Sequence, residues 1–450
     1  MKVHLIAMGG SAMHNLALEL HRQGHQVSGS DDAFFEPSRS RLDQAGLLPP
    51  STGWEPERIH AGLDCVILGM HARRHNPELL RAQEREVPVY SYPEFLYQQS
   101  QHKTRVVIAG SHGKTTITAM ILHVLHYHGR DADYMVGAQL EGFDHMVRLT
   151  EHNEFIILEG DEYLSSPLDS RPKFLHYHPN ITLLSGIAWD HYNVFPQYEQ
   201  YYHQFERLLE AVAPGGAVVY NEADPEVRRV LDECENEVKK FPYAYPAYSV
   251  EEGQFSLQTT EGPIPLQIFG RHNMNNLEGA RWICNQIGLT NEEFYEAIVE
   301  FEGASMRLEP LWEKDQRRAF RDYAHAPSKV RASVQAVAEA FPAQPVYACL
   351  ELHTFSSLSR DFIRHYQGTL AQATEALVYF NPEVVAHKKL PALTVEDVRQ
   401  AFDDPRLTVA NSSQEVKTWA RAKLTHPGTL LLMTSGTFDG IDWPAELAAL

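Results

Sequence analysis

Short continuous apolar runs alternate with amphipathic stretches along almost the whole chain. Residues 2–7 form a short apolar strand followed by Gly9 and Gly10, residues 11–23 carry helical periodicity, and a second strand at 26–30 ends in Asp31. Strand, helix and parallel strand in that order make a βαβ opening. Apolar runs at 65–69 and 87–90 continue the pattern as far as the polar stretch 98–103, where a domain boundary is expected. A second unit opens with a strand at 105–109, meets a glycine-bearing turn at 110–116 and enters a helix predicted over 118–128. Its later strands fall at 154–158, 181–186 and 217–220. Near residues 304–308 the pattern breaks. Beyond it, strands at 319–323, 346–352, 376–380 and 429–433 alternate with helices. The pattern therefore predicts an α/β protein of three domains, residues 1–102, 103–306 and 307–450, with no internal repeat and no low-complexity segment.

Composition narrows the class. A chain of 450 residues with 43% hydrophobic content is too long for one core and suits a multidomain enzyme. No run of 18 apolar residues and no secretory-type N-terminal stretch is present, so a cytosolic protein is expected. Cys65, Cys234, Cys284 and Cys349 stand singly without a CxxC pair, which argues against a zinc site and gives no hint of a disulfide framework. With 39 basic and 59 acidic residues the net charge is −20, a poor footprint for nucleic acid or anionic lipid. Any anionic ligand must be held by local donors.

The strongest local signal is Gly110-Ser111-His112-Gly113-Lys114-Thr115-Thr116. Between a strand and a helix, its backbone N–H groups and the helix N-terminus converge on a phosphate chain. Lys114 then neutralises the outer phosphates, and the Thr115 hydroxyl can ligate Mg²⁺. Lys114 is expected at an exposed loop end, needed for phosphate charge and not for folding. The strand at 154–158 runs into Glu159-Gly160-Asp161-Glu162, which puts hard oxygen ligands at the carboxyl edge of a sheet, Glu159 foremost. A third strand leads into Ala188-Trp189-Asp190-His191, where His191 is a candidate for a second Mg²⁺. Taken singly, the acids could be a solvated turn and the histidine a structural one. In the first unit, Ala7-Met8-Gly9-Gly10-Ser11 lacks the three glycines of a dinucleotide fingerprint, which counts against the rival reading, a nicotinamide-dependent oxidoreductase.

These motifs, together with Gly270-Arg271-His272-Asn273-Met274-Asn275-Asn276 and Asp322-Tyr323-Ala324-His325, occur in the order and spacing of the Mur ligases, and the chain is identified by resemblance as a member of that family. The resemblance implies a Rossmann-like UDP-binding domain, a central P-loop ATPase domain and a C-terminal Rossmann-like domain that receives the incoming amine. It implies ATP and Mg²⁺ as cofactors and an amide ligase working through an acyl phosphate. Residue by residue, it implies that Asn273 contacts adenine, that Arg307 at the second hinge approaches the γ phosphate and that Asp322 reaches the nucleotide. Gly10, Ser11 and Asp31 would hold the UDP portion, with Arg73 and Arg74 as further cations for its diphosphate.

Some branches of the family use a carbamylated lysine about fifteen residues beyond the metal-binding histidine. No lysine follows His191 here until Lys239; Glu206 falls near the place, as a substitute or as a surface residue. Two branches remain, both acting on UDP-N-acetylmuramate: one adds L-alanine, the other the recycled tripeptide L-alanyl-γ-D-glutamyl-meso-diaminopimelate. Asp161-Glu162-Tyr163, Asp169-Ser170-Arg171-Pro172-Lys173-Phe174, His176-Tyr177 and the loop 434–441 resemble the tripeptide branch, although Leu164 stands where that branch has an aspartate. The expected partners are UDP-N-acetylmuramate and a muropeptide amine, gripped in the third domain around 350–357 and 434–441; the oligomeric state is open.

Overall fold

Strands that are apolar along their full length must be covered on both faces, and parallel sheets meet that need because their crossover helices lie over the sheet. In the computed structural model, which describes all residues except 139–142, 144 and 252, three such sheets follow one another. The first contains β1 (Lys2–Ile6), β2 (Gln26–Ser30), β3 (Cys65–Leu68) and β4 (Val89–Ser91), all parallel in the order β2-β1-β3-β4. The helix Ser11–Arg22 crosses from β1 to β2.

The second sheet contains β5 (Thr104–Ala109), β6 (Asp133–Met135), β7 (Val147–Arg148), β8 (Phe155–Gly160), β9 (Ile181–Leu184), β10 (Ala217–Asn221) and β11 (Lys239–Tyr243). Their order is β11-β10-β9-β5-β8-β6-β7, parallel except where β7 turns back along β6. The chain fills one side of β5 first and then continues on the other from β9, so a crevice opens at the carboxyl ends of β5, β8 and β9. The register brings those ends level, with Ala109 opposite both Gly160 and Leu184.

A small antiparallel sheet that the hydrophobic pattern does not predict follows: β12 (Tyr248–Glu251), β13 (Gln254–Thr259) and β14 (Gly262–Leu266). The third large sheet has β15 (Glu309–Lys314), β16 (Arg317–Asp322), β17 (Val346–Leu352), β18 (Glu375–Phe380), β19 (Leu407–Ala410) and β20 (Gly428–Met433), in the order β15-β16-β20-β17-β18-β19. Only β15 is antiparallel to its neighbour. Parallel sheets with covering helices agree with the α/β expectation.

The second and third sheets meet through aromatic contacts. Trp189 packs on Phe362 and His365 at ring separations of 6.0 and 5.5 Å, and Tyr192 meets Phe362 at 5.4 Å. Below them Phe269 meets Phe320 at 5.2 Å. Cys65, Cys284 and Cys349 are buried, Cys234 is half-buried, and all four are free thiols. Among the described residues no helix is long and apolar enough to cross a membrane.

Candidate active site

The turn after β5 is shaped by two glycines in the left-handed region, Gly110 with φ +122° and Gly113 with φ +79°. A Cβ at either would run into Ser185 Oγ or Asn276 Oδ1, and an L side chain would also be strained at these angles. Gly113 turns the chain straight into its helix, which spans Lys114–Tyr127 and so starts four residues earlier than predicted. The cleft in front of this turn has a volume of about 390 Å³. Ser111, His112, Gly113, Lys114, Thr115, Thr116, Glu159, His191, Asn273, Arg307 and Asp322 all line it. Gly110 lies just behind, its carbonyl accepting from Lys114 Nζ at 2.6 Å.

The Lys114 side chain is only 14% exposed and pairs with Glu162, Nζ to Oε2 2.7 Å, which corrects the expectation of an exposed loop end. Burial pulls its pKa down, but Glu162 and Asp161 pull harder, and the ammonium is held above its usual range. The Thr115 hydroxyl donates to Glu159 Oε1 at 2.8 Å, and the Gly137 amide donates to Glu159 Oε2 at 2.7 Å. Hydroxyl and carboxylate are therefore paired as two hard donors, a set that fits Mg²⁺.

Next to this pair is an acid cluster that spacing alone did not single out. One ligand atom each of Asp161, Glu162 and His191 lies within 4.8 Å of the others. Glu162 Oε1 stands 3.6 Å from His191 Nε2 and accepts from the Tyr201 hydroxyl at 3.1 Å. Burial favours the neutral acid at Asp161, but Lys173, His191 and Lys114 outweigh it and hold the carboxyl well below the usual carboxylate range. Lys173 Nζ donates to Asp161 Oδ2 at 2.5 Å. At Asp190, burial is likewise overcome, chiefly by Lys329 at 3.0 Å across the gap to the third sheet. Two neutral imidazoles complete the wall. Burial, with Lys329 beside both, lowers His112 to about 4 and His325 to about 3.

Asn273 lies in the first turn of the helix Arg271–Gln286, which begins after Gly270 at φ +91°. Its amide donates to Phe269 O at 2.9 Å and accepts from Asn276 at 3.3 Å. At the hinge, Met306 and Leu308 both have positive φ. This strained backbone aims Arg307 at the phosphate turn, Nη2 to Thr115 Oγ1 3.5 Å, with the guanidinium 4.8 Å over the Tyr323 ring. Asp322 also faces the cleft, but its oxygens are taken by protein donors: Leu308 N and Ala324 N at 2.7 Å each and Ser333 Oγ at 3.0 Å. It fastens the hinge to the third sheet.

Gly10, Ser11 and Asp31 lie together at the carboxyl ends of β1 and β2, and none lines this cleft. Asp31 accepts from Gly9 N at 2.7 Å and Asp32 N at 2.8 Å, so it shapes the glycine turn. Arg74 donates from Nε to Pro167 O at 2.7 Å, tying the first unit to the central one, while Arg73 is exposed. Glu206 pairs with His203 on its own helix and does not line the cleft. The residue of that helix, Tyr198–Glu210, that reaches the acid cluster is Tyr201.

Comparison with known proteins gives the family. Residues 2–104 match the Mur ligase family catalytic domain and residues 108–283 the Mur ligase middle domain, together more than half of the chain. The chain is 27% identical over 448 residues to UDP-N-acetylmuramate–L-alanine ligase of Carboxydothermus hydrogenoformans, covering 96% of this chain and 93% of that protein. It is 26% identical over 346 residues to the UDP-N-acetylmuramate–L-alanyl-γ-D-glutamyl-meso-2,6-diaminoheptandioate ligase of Escherichia coli K12, covering 75% of each. A crystal structure of a murein peptide ligase from Psychrobacter arcticus shares the fold with a TM-score of 0.70 and 22% identity, over 100% of this chain and 99% of that one. With the phosphate turn, acid cluster and hinge arginine converging on one cleft, the chain belongs to the Mur ligase family of ATP-dependent ligases, which form carbon–nitrogen bonds in peptidoglycan synthesis.

Proposed function

We propose that the protein joins UDP-N-acetylmuramate to the tripeptide L-alanyl-γ-D-glutamyl-meso-diaminopimelate at the expense of ATP, acting in the cytoplasm. The observation that carries the ligase chemistry is the convergence of Lys114, Thr115, Glu159, His191, Asn273 and Arg307 on one cleft. In this reading residues 1–102 bind the UDP-sugar through Gly10, Ser11 and Asp31, residues 103–306 bind ATP, and residues 307–450 bind the amine. The phosphate chain lies on the amides of 110–116, adenine against Asn273, and the γ phosphate between Lys114 and Arg307. The substrate carboxylate attacks the γ phosphate in line, giving an acyl phosphate and ADP, and Lys114 and Arg307 stabilise the charge that develops. The peptide amine then attacks the acyl carbon and inorganic phosphate leaves. Thr115, Glu159, Glu162 and His191 would hold Mg²⁺, which supplies neutralisation of phosphate charge when bound.

Support for the tripeptide comes from the third unit and the loop after the acid cluster. The 434–441 loop is anchored on the buried Glu351, which accepts from Thr434 Oγ1 and from Phe438 N at 2.9 Å. Lys388 stands 4.3 Å over the exposed Phe355 ring, which puts a cation beside the 350–357 segment expected to receive the peptide. Between the acid cluster and β9, Leu164 bridges to Pro172, and Arg171 pairs with Asp169 at 2.6 Å in the stretch that resembles the tripeptide branch. L-alanine is the second reading, favoured by the longer span of similarity to the L-alanine ligase. Phosphate release from ATP and UDP-N-acetylmuramate with each amine in turn separates the two. The tripeptide should be used at least ~10-fold more efficiently, since one charge-assisted hydrogen bond is worth about 1.5–3 kcal/mol. Equal or better use of L-alanine overturns the tripeptide reading.

A further inference from the structure

We propose that Tyr201 is a positioning residue for the cation site: through its hydroxyl it holds Glu162 between Lys114 and His191. The inference rests on the reading of Glu162 and His191 as cation ligands.

The tyrosine hydroxyl is the middle of a buried relay. The Ala188 amide donates to Ser111 Oγ at 2.7 Å, and Ser111 Oγ lies 2.7 Å from the Tyr201 oxygen. The Tyr201 hydroxyl in turn donates to Glu162 Oε1 at 3.1 Å. Because the Glu162 carboxylate can only accept, the tyrosine proton goes to it, and the serine proton goes to the tyrosine oxygen at 2.7 Å, shorter than its other acceptor, Gly186 O, at 3.4 Å. Tyr201 is fully buried, and its ring is wedged between Phe195 at 5.7 Å and Phe205 at 5.2 Å.

Glu162 needs such a restraint. One oxygen, Oε2, is bound by Lys114 at 2.7 Å, and the other is 3.6 Å from His191 Nε2. Without a second donor the carboxylate is free to turn both oxygens to the ammonium, which would neutralise Lys114 and withdraw a ligand from the cluster. Tyr201 opposes that rotation and links the phosphate turn at Ser111 to the acid cluster. Partners that orient a ligating carboxylate commonly change metal affinity by about 10- to 100-fold when removed.

The test is Tyr201→Phe, which keeps the ring and removes only the hydroxyl. The Mg²⁺ concentration for half-maximal phosphate release should rise about 10- to 100-fold, with excess Mg²⁺ restoring most turnover. Mn²⁺ binding to the enzyme without nucleotide, read by electron paramagnetic resonance, should weaken by a similar factor. Unchanged metal curves in both measurements overturn the role of Tyr201, as does a lowered melting temperature with an unmoved metal midpoint. If the variant does not fold, Ser111→Ala breaks the relay one step earlier and should shift both curves in the same direction; unshifted curves there also overturn it. Failure of the underlying reading looks different: His191→Ala would then leave both the Mn²⁺ binding curve and the Mg²⁺ midpoint of phosphate release where the wild-type enzyme has them, the cation being held by Thr115 and Glu159 alone.

Discussion

Lys114 carries two roles that separate by mutation. Lys114→Ala should lower turnover by roughly 10²-fold or more, as loss of a transition-state donor does. Because Glu162 is 1% exposed and accepts from Lys114, the same change should also cost roughly 1–3 kcal/mol of stability, visible in the melting temperature. Adding Glu162→Gln should recover much of the stability and none of the turnover; recovery of neither would mean that the pair is not what stabilises the turn. Glu159→Gln tests the neighbouring donor pair, since an amide is a poorer ligand for a hard cation. Its Mg²⁺ titration should move to higher concentration while nucleotide still binds, and an unmoved curve returns Glu159 to a purely structural role. His325 supplies the pH dependence. Its pKa is lowered to about 3 by burial and by Lys329, with Asp190 opposing and Arg307 adding to the lowering. An unfolded chain takes up this proton near pH 6.5 and the folded chain does not. The stability it contributes is therefore complete above about 6.5 and lost as pH falls from there towards 3. His325→Asn should flatten the acid side of the curve of melting temperature against pH.

At the scale of elements, the strands were legible because they are buried on both faces. Val106 to Ala109 are fully buried, and so is nearly every residue of β17, β18 and β20. The antiparallel sheet β12 to β14 was not legible, since its strands carry polar residues and two prolines and cover the core from outside. The helix start at Lys114 was obscured because Thr115 and Thr116 are poor helix formers and only the left-handed Gly113 reveals the turn. In the site, Glu159, Asp161 and Glu162 are neighbours in sequence, and spacing does not tell which side each faces once β8 ends. Tyr201 was hidden for another reason: with Tyr198, Tyr202 and Phe205 it repeats at the spacing of a core-facing helix stripe, and only the partner of its hydroxyl, Glu162 where Tyr198 and Tyr202 find Glu226 and Glu233, sets it apart. The 434–441 loop carries the element-scale prediction. Shortening it should erode use of the tripeptide and leave nucleotide affinity intact, because the loop hangs from Glu351 and the nucleotide residues hang from other elements. Loss of nucleotide binding would make the loop structural.

Across the whole molecule, the cleft is complete only while the third sheet lies against the second. Lys329 to Asp190 and Tyr192 N to Ser356 Oγ cross that gap, beside the edge-to-face contact of Trp189 with Phe362. Phe362→Ala should loosen the seam, raise hydrolysis of ATP in the absence of amine by admitting water, and shift the emission of Trp189 to the red. Emission and uncoupled hydrolysis that both match wild type would show that this ring contact does not hold the cleft shut. The cysteines have a practical consequence. Burial pushes Cys65 up to about 11 and Cys284 and Cys349 higher still, so these thiols are poor nucleophiles in the folded protein. Cys234, at the end of the helix Pro225–Glu233, is half-buried and is not part of the cleft lining. A maleimide dye should therefore attach at this one position in native enzyme, giving a ready fluorescent handle, and the slow arrival of further labels would time the opening of each domain core in turn.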